Sequence, residues 1–142
     1  MDIKQAYLQV LSKANRIALA TAVGTMPNVR IVNFCFDADR LDVLYFASDR
    51  SNQKVEELRE NEHIAFTTIP DEGIEHARSN HAIVLQSKRS IADLSAAFTA
   101  KIPGYDETIA AIGDTLDVFE IHTADAFVIL DFETAGPVAF SL

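Results

Sequence analysis

The sequence predicts one α+β domain, mainly antiparallel β, forming a sheet or small barrel with peripheral helices. Three observations carry that prediction. Most apolar runs are short and rich in β-branched and aromatic residues, the composition that fits a pleated, half-buried surface. The first of them are separated by turns too short for a parallel crossover, so neighbouring strands are hairpin-linked. Helical spacing of apolar residues is confined to three or four segments that do not alternate regularly with the strands. The chain has 142 residues and four scattered prolines, with no repeat or low-complexity stretch, so residues 1–142 read as a single domain.

The elements follow in order. Asp2–Ala14 reads as a helix capped by Asp2, with Ile3, Ala6, Tyr7, Val10, Leu11 and Ala14 on one face. Ile17–Val23 is a strand, Gly24–Asn28 a turn and Val29–Phe36 a second strand. Asp37–Arg40 turns into a third strand, Leu41–Ala47. A helix runs from Ser51 to Asn61 with Val55 and Leu58 inward, followed by the strand His63–Ile69 and the breaker Pro70–Gly73. His81–Lys88 is another strand. Ser90 and Asp93 form a capping-box start to a helix ending near Lys101, where Pro103-Gly104 stops it. A short helix over Asp106–Gly113 precedes two strands, Asp117–Thr123 and Ala126–Phe132, joined at Ala124-Asp125.

Composition excludes several functions. Twelve Lys and Arg against twenty-one Asp and Glu give a net charge of −9, which repels a phosphate polyanion and argues against nucleic-acid binding. Apolar stretches such as Ala126–Leu130 are too short to span a bilayer, and Met-Asp-Ile-Lys-Gln does not begin a signal peptide. The lone Cys35 excludes an intrachain disulfide and fits a reducing, cytoplasmic setting. His63, His76, His81 and His122 lack zinc-site spacing, so no metal is expected. There is no Gly-Xaa-Ser-Xaa-Gly elbow, Walker loop or dinucleotide fingerprint.

What remains is a pattern suited to a phosphate group. Arg30 sits in an apolar strand, Ser48 ends the next strand, and Ser51-Asn52-Gln53-Lys54 opens a helix. Free N–H groups of a first helical turn attract an anion, Ser51 and Asn52 add hydrogen bonds, and Lys54 adds full charge. Arg30 offers a planar guanidinium matched to two phosphate oxygens. The same residues also suit a plain capped helix beside a strand-end arginine.

The order of these segments adds to their content. Arg30-Ile31-Val32-Asn33-Phe34, then Leu44-Tyr45-Phe46-Ala47-Ser48, then Ser51 through Asn61, resembles the flavin-binding split-barrel family that includes the pyridoxamine 5′-phosphate oxidases. The resemblance is strongest over Ile17–Ile69 and extends to Phe132. It implies a six-stranded split β-barrel with peripheral helices, paired as a homodimer with FMN in clefts between the subunits. It further implies that Arg30 and Lys54 hold the FMN phosphate, assisted by Ser48, Ser51 and Asn52. Ile31, Val32 and Asn33 would run along the isoalloxazine edge, with Ala47 beside Ser48 in the same motif. His81 would stand where related oxidases carry a flavin-contacting Gln.

The sequence also departs from that family. Asn61-Glu62 replaces Asn-Pro, Gln86 stands where a Gly often occurs, and the tail Gly136–Leu142 supplies neither an aromatic flavin wall nor a second phosphate-binding arginine. Oxidation of pyridoxamine phosphate is therefore not expected. The leading expectation is an FMN-dependent oxidoreductase acting on an unidentified small substrate, with no side chain standing out as general acid or base. The alternatives are a flavin- or cofactor-binding module without turnover and a cofactor-free dimer. Haem lacks a singled-out axial His, and an acidic deazaflavin tail would meet an acidic surface.

Overall fold

The computed structural model describes residues 1–140. Its elements are α1 (Ile3–Lys13), β1 (Arg16–Val23), β2 (Met26–Asn33), β3 (Cys35–Phe36), β4 (Val43–Asp49), α2 (Gln53–Glu60), β5 (His63–Thr68), β6 (His76–Gln86), α3 (Ile91–Lys101), α4 (Tyr105–Ile112), β7 (Leu116–Ile129) and β8 (Ala135–Ala139). The sheet runs β2-β1-β5-β6-β7-β4-β3 with β8 added on β7, and every pairing is antiparallel. The expected α+β split barrel is what forms. Six long strands make its wall, while the two-residue β3 and the short β8 raise the strand number to eight.

Local chemistry explains the element ends. The Asp2 carboxylate accepts from the Gln5 N–H and the Gln5 side chain accepts from the Asp2 N–H; Ser90 and Asp93 do the same for α3. In the β1–β2 hairpin only Gly24 and Thr25 turn, with Gly24 at φ 59°, and Met26, Pro27 and Asn28 already belong to β2. A two-residue loop needs positive φ to match the strands' twist, and glycine adopts it without strain.

Besides shifts of a few residues at element ends, four features differ from those the sequence suggests. The Val29–Phe36 run divides at Phe34, where the chain leaves β1 and joins β4 through Cys35 and Phe36. The strand expected from His81 already begins at His76. The two strands expected around Ala124-Asp125 are one, β7, and its pairing with β6 shifts register there. Ala77 and Ser79 point inward on β6 before the shift, and Ala82 and Val84 after it. A bulge thus absorbs the change of period that reads as a break. Finally, β8 escapes sequence reading because Gly136 and Pro137 look like breakers; its place on the outer side of β7 tolerates a proline.

Two apolar clusters hold the fold. The barrel interior packs Ile17, Leu19, Phe34, Phe46, Phe66 and Ile121, with Tyr7 and Leu11 of α1 against it. A second cluster lies under α3 and α4, where Phe98 stacks on Tyr105 at 4.7 Å over Cys35 and Val118. Lys101 ties α3 back to the α1–β1 junction. Its ammonium donates to the Ala14 carbonyl and lies 4.5 Å from the centre of the Phe34 ring.

The Tyr7 hydroxyl is fully buried and has no hydrogen-bond partner among the described residues. Tyr7→Phe is therefore expected to stabilise the protein by about 1 kcal/mol, since it removes an unsatisfied group and keeps the ring. A chemical-denaturation midpoint that falls instead would show that the hydroxyl is bonded.

Cys35 predicts a pH effect. Burial pushes its thiol up to about 12, while Lys101 and Arg89 pull weakly the other way. The unfolded thiol ionises from about pH 8.5 upward and the native one does not, so the folded state holds the extra proton and stability falls as pH rises through this window. Lys101 acts in the opposite sense. Burial lowers it to about 8, so it contributes a gain as pH rises above that value. The Cys35 part is isolated by comparing wild type with Cys35→Ala. Their stability difference should shift in the variant's favour above pH 9, by at most about 1.4 kcal/mol per pH unit. A difference that stays constant to pH 10.5 would contradict the burial argument.

Candidate functional site

The sheet does not close on itself by hydrogen bonds. Its end strands, β2 and β3, are joined through Phe34, and a split opens from there between β2 and β4. Among the described residues β2 pairs with β1 alone, which leaves its other edge open to a partner or ligand. The alternation of β1 places Ile17, Leu19 and Thr21 inward; their register partners on β2 are Val32, Arg30 and Asn28. On β4 the inward residues are Leu44, Phe46 and Ser48. Helix α2 packs on β1, with Val55 and Leu58 in the core, and brings Lys54 and Glu57 to the polar end of these strands.

The result is a compact polar cluster. Lys54 is only 9% exposed, and its ammonium donates to the Ser48 hydroxyl at 2.8 Å. The Ser48 hydroxyl in turn donates a hydrogen bond to the Asp49 carbonyl at 3.1 Å. Burial, then the nearby Arg30 charge, holds Lys54 below the ordinary lysine pKa, against a weaker opposing pull from Asp49. Arg30 reaches inward: Nη1 donates to the Thr21 hydroxyl at 2.9 Å and the Leu19 carbonyl at 3.2 Å. Its Nη2 donates to Glu57 Oε1 at 2.5 Å. The Asn28 amide donates to both Glu57 oxygens at 3.4 Å. Arg30 and Glu57 retain only 18% and 10% of their side-chain exposure.

The structure thus brings Arg30, Ser48 and Lys54 together, and Val32 points inward beside them. Ile31 and Asn33 lie on the outer face of β2 and are exposed. Ala47 packs on the other side of β4, toward the α3–α4 cluster. Ser51 stands before the helix, donating from its N–H and hydroxyl to the Asp49 carboxylate at 2.9 and 2.6 Å. Asn52 is the cap, accepting from the Lys54 N–H, so the helix starts at Gln53 rather than Ser51. His81 is separate from this cluster, on the outer face of β6, with Nδ1 3.0 Å from the Asp125 carboxylate.

Sequence reading missed Thr21 and Asn28, and the helical spacing that sends Val55 and Leu58 inward puts Glu57 on the solvent side, whereas in the structure Glu57 is buried against Arg30. A signal existed for Thr21 and Glu57. Thr21 continues the inward alternation of Ile17 and Leu19 with a polar residue, and Glu57 follows Lys54 by three, which puts both on one helical face. Asn28 reads as turn chemistry, and its role depends on the shortness of the Gly24-Thr25 loop.

Beyond the cluster, the outer sheet face carries a groove of about 760 Å³ lined by Ala18, Ala20, Val29, Ala65, Phe127 and Pro137 among others. Arg78, 5.0 Å from the centre of the Phe127 ring, and Asp125, which holds His81, also line it. Met26, Val29 and Ile31 add exposed apolar surface along β2. Among the described residues no three His, Cys, Asp or Glu side chains gather as metal ligands. No helix there is long and apolar enough to cross a membrane.

Residues 10–134 match the model of the pyridoxamine 5′-phosphate oxidase-like family. The chain belongs to that family. No relative among the curated proteins matches the sequence. Solved structures with the same fold are diverse in what they hold. A NimC/NimA family protein from Clostridium acetobutylicum is 18% identical with a TM-score of 0.66, over 96% of this chain and 93% of that one. An FAD-binding protein from Mesorhizobium loti is 14% identical with a TM-score of 0.64, over 86% and 90%. A heme-binding protein from Mycobacterium smegmatis is 9% identical with a TM-score of 0.74, over 98% of this chain and 58% of that one. At such identities the likeness is one of fold. The pyridoxamine 5′-phosphate oxidase-like fold therefore leaves the ligand to be argued from this chain's own residues. Of its last segment, Ser141 and Leu142 lie outside the described residues.

Proposed function

We propose that the protein binds FMN in clefts between the subunits of a homodimer and works as a cytoplasmic flavin-dependent oxidoreductase on a small substrate. The observation that carries this reading is Lys54. An ammonium has three protons to donate, and that of the buried Lys54 has a single hydrogen-bond partner among the described residues, Ser48, next to a second cation. Such a group suits an anionic oxygen brought to the split, and a phosphate supplies several. The unpaired edge of β2 lies beside it and offers backbone donors and acceptors to a ring carrying amide-like groups.

In this reading Lys54, Ser48 and Arg30 hold the phosphate end. Ile31, Val32 and Asn33 present the β2 edge to the ring, and Ser51 and Asn52 keep the start of α2 in place. The alanine-lined outer groove and the exposed Val29 and Ile31 form the face a second copy covers, and that cover excludes water from the ring. His81, held by Asp125 at the groove, contacts the cofactor from either subunit. When bound, the flavin supplies hydride or electron transfer through its N5. A second reading, a binding module without turnover, is favoured by the Arg30–Glu57 pair, which withdraws one cation from the phosphate.

The test is the visible spectrum of the purified protein after desalting, then titration with FMN, with molecular mass from light scattering. Retained or saturable flavin bands on a dimer support the reading, and oxidation of a nicotinamide donor above the rate of free FMN separates enzyme from carrier. A monomer with no affinity for FMN would end it.

A further inference from the structure

We propose that Glu57 is a specificity-determining residue, an internal counter-anion that occupies Arg30 and weakens selection for a phosphate monoester at the split. The proposal rests on the flavin reading for its ligand and goes beyond it in assigning what sets the site's preference. Three observations support it. Glu57 holds Arg30 at 2.5 Å in surroundings that leave little of either side chain in solvent, so water screens the pair poorly. The remaining Nη1 contacts of Arg30 go to Thr21 and the Leu19 carbonyl, so the guanidinium already has three protein acceptors. The adjoining crevice between the β1–β2 hairpin and α2 is lined by Asn28, Gln53, Glu56, Glu57 and Glu60, three of them carboxylates.

A phosphate arriving at Lys54 therefore meets a guanidinium whose charge is already matched, and a carboxylate beside it. Two anions competing for one cation repel each other, and desolvation strengthens the repulsion. The flavin ring, which carries no such charge, is indifferent to Glu57. The wild-type site should thus distinguish FMN from riboflavin only weakly. Removing the carboxylate charge, while keeping its shape and its oxygen for Asn28 and Arg30, should restore the distinction.

The experiment is parallel titration of wild type and Glu57→Gln with FMN and with riboflavin, alongside thermal melts with and without inorganic phosphate. The expected result is an FMN-to-riboflavin affinity ratio of only a few in wild type. In E57Q the ratio should rise by about tenfold or more through FMN alone. Phosphate should raise the melting temperature of E57Q and leave that of wild type nearly unchanged. Adding Arg30→Met to E57Q should cancel both gains, which a purely structural role for Glu57 does not predict. Phosphate stabilising E57Q while neither protein binds flavin would retain the role of Glu57 and refute the flavin reading. A wild type that already prefers FMN a hundredfold would overturn the proposal, even if E57Q failed to fold. So would an E57Q ratio and phosphate response equal to those of wild type.

Discussion

Lys54→Met is expected to weaken FMN binding by about 1.5–3 kcal/mol, roughly ten- to a hundredfold in Kd, while leaving stability unchanged or higher. The two halves have different causes. Binding falls, to below that of riboflavin, because the charge-assisted contact to the phosphate is lost while the repulsion from Glu57 remains. Stability does not fall, because in the free protein this ammonium has one partner among the described residues for three protons, sits in poorly solvated surroundings and is repelled by Arg30. A methionine of similar length fills the same space without that burden. Ser48 keeps its own hydrogen bond to the Asp49 carbonyl. Isothermal titration and a urea melt on the same preparation check both. Equal FMN affinity in the two proteins would place the anion site elsewhere, and a lower midpoint would mean that Lys54 is chiefly a structural tie.

Arg30→Ala should have the largest effect on stability, a loss of about 3–5 kcal/mol. The change strands the Glu57 carboxylate, which among the described residues would keep only the Asn28 amide at 3.4 Å, and takes the donor from Thr21. The size of that loss measures an uncompensated buried charge rather than the worth of the ion pair. Arg30→Met combined with Glu57→Leu should therefore recover most of it, because replacing both partners with apolar groups removes the stranded charge. Urea denaturation of Arg30→Met, Glu57→Leu and their double closes the cycle. A loss below about 1 kcal/mol for Arg30→Ala would mean that water reaches Glu57 freely. The two variants separate the cations by role. Arg30 holds the barrel end together as well as facing the phosphate, and Lys54 is the cation with more donors to spare for a ligand.

Much of this was legible in the amino-acid order. The capping residues Asp2 and Ser90, the short apolar run of Ile17–Val23 and the Gly24 turn act within a few residues of themselves. Local chemistry of that range is readable from a sequence. The strand β8 and the continuous β7 were not, because their signals point the other way locally. Gly136, Pro137 and the Ala124-Asp125 step each resemble a break, and only an outer edge position or a matching shift on β6 makes them acceptable in a sheet.

The candidate site divides along the same line. Arg30, Ser48 and Lys54 could be singled out because their residue types in an acidic chain suit an anion, and the order of the surrounding segments agrees with the family the chain belongs to. Sequence by itself determined the α+β class, the caps of α1 and α3, the β character of the short apolar runs and which cations were available. Tertiary structure decided what those cations face. Glu57 is 27 residues from Arg30 along the chain, and the packing of α2 on β1 brings the two to 2.5 Å. Whether an arginine meets a ligand or its own protein's carboxylate is a matter of ångströms and of excluded water. Both are set by packing between segments distant along the chain, where no local pattern reaches.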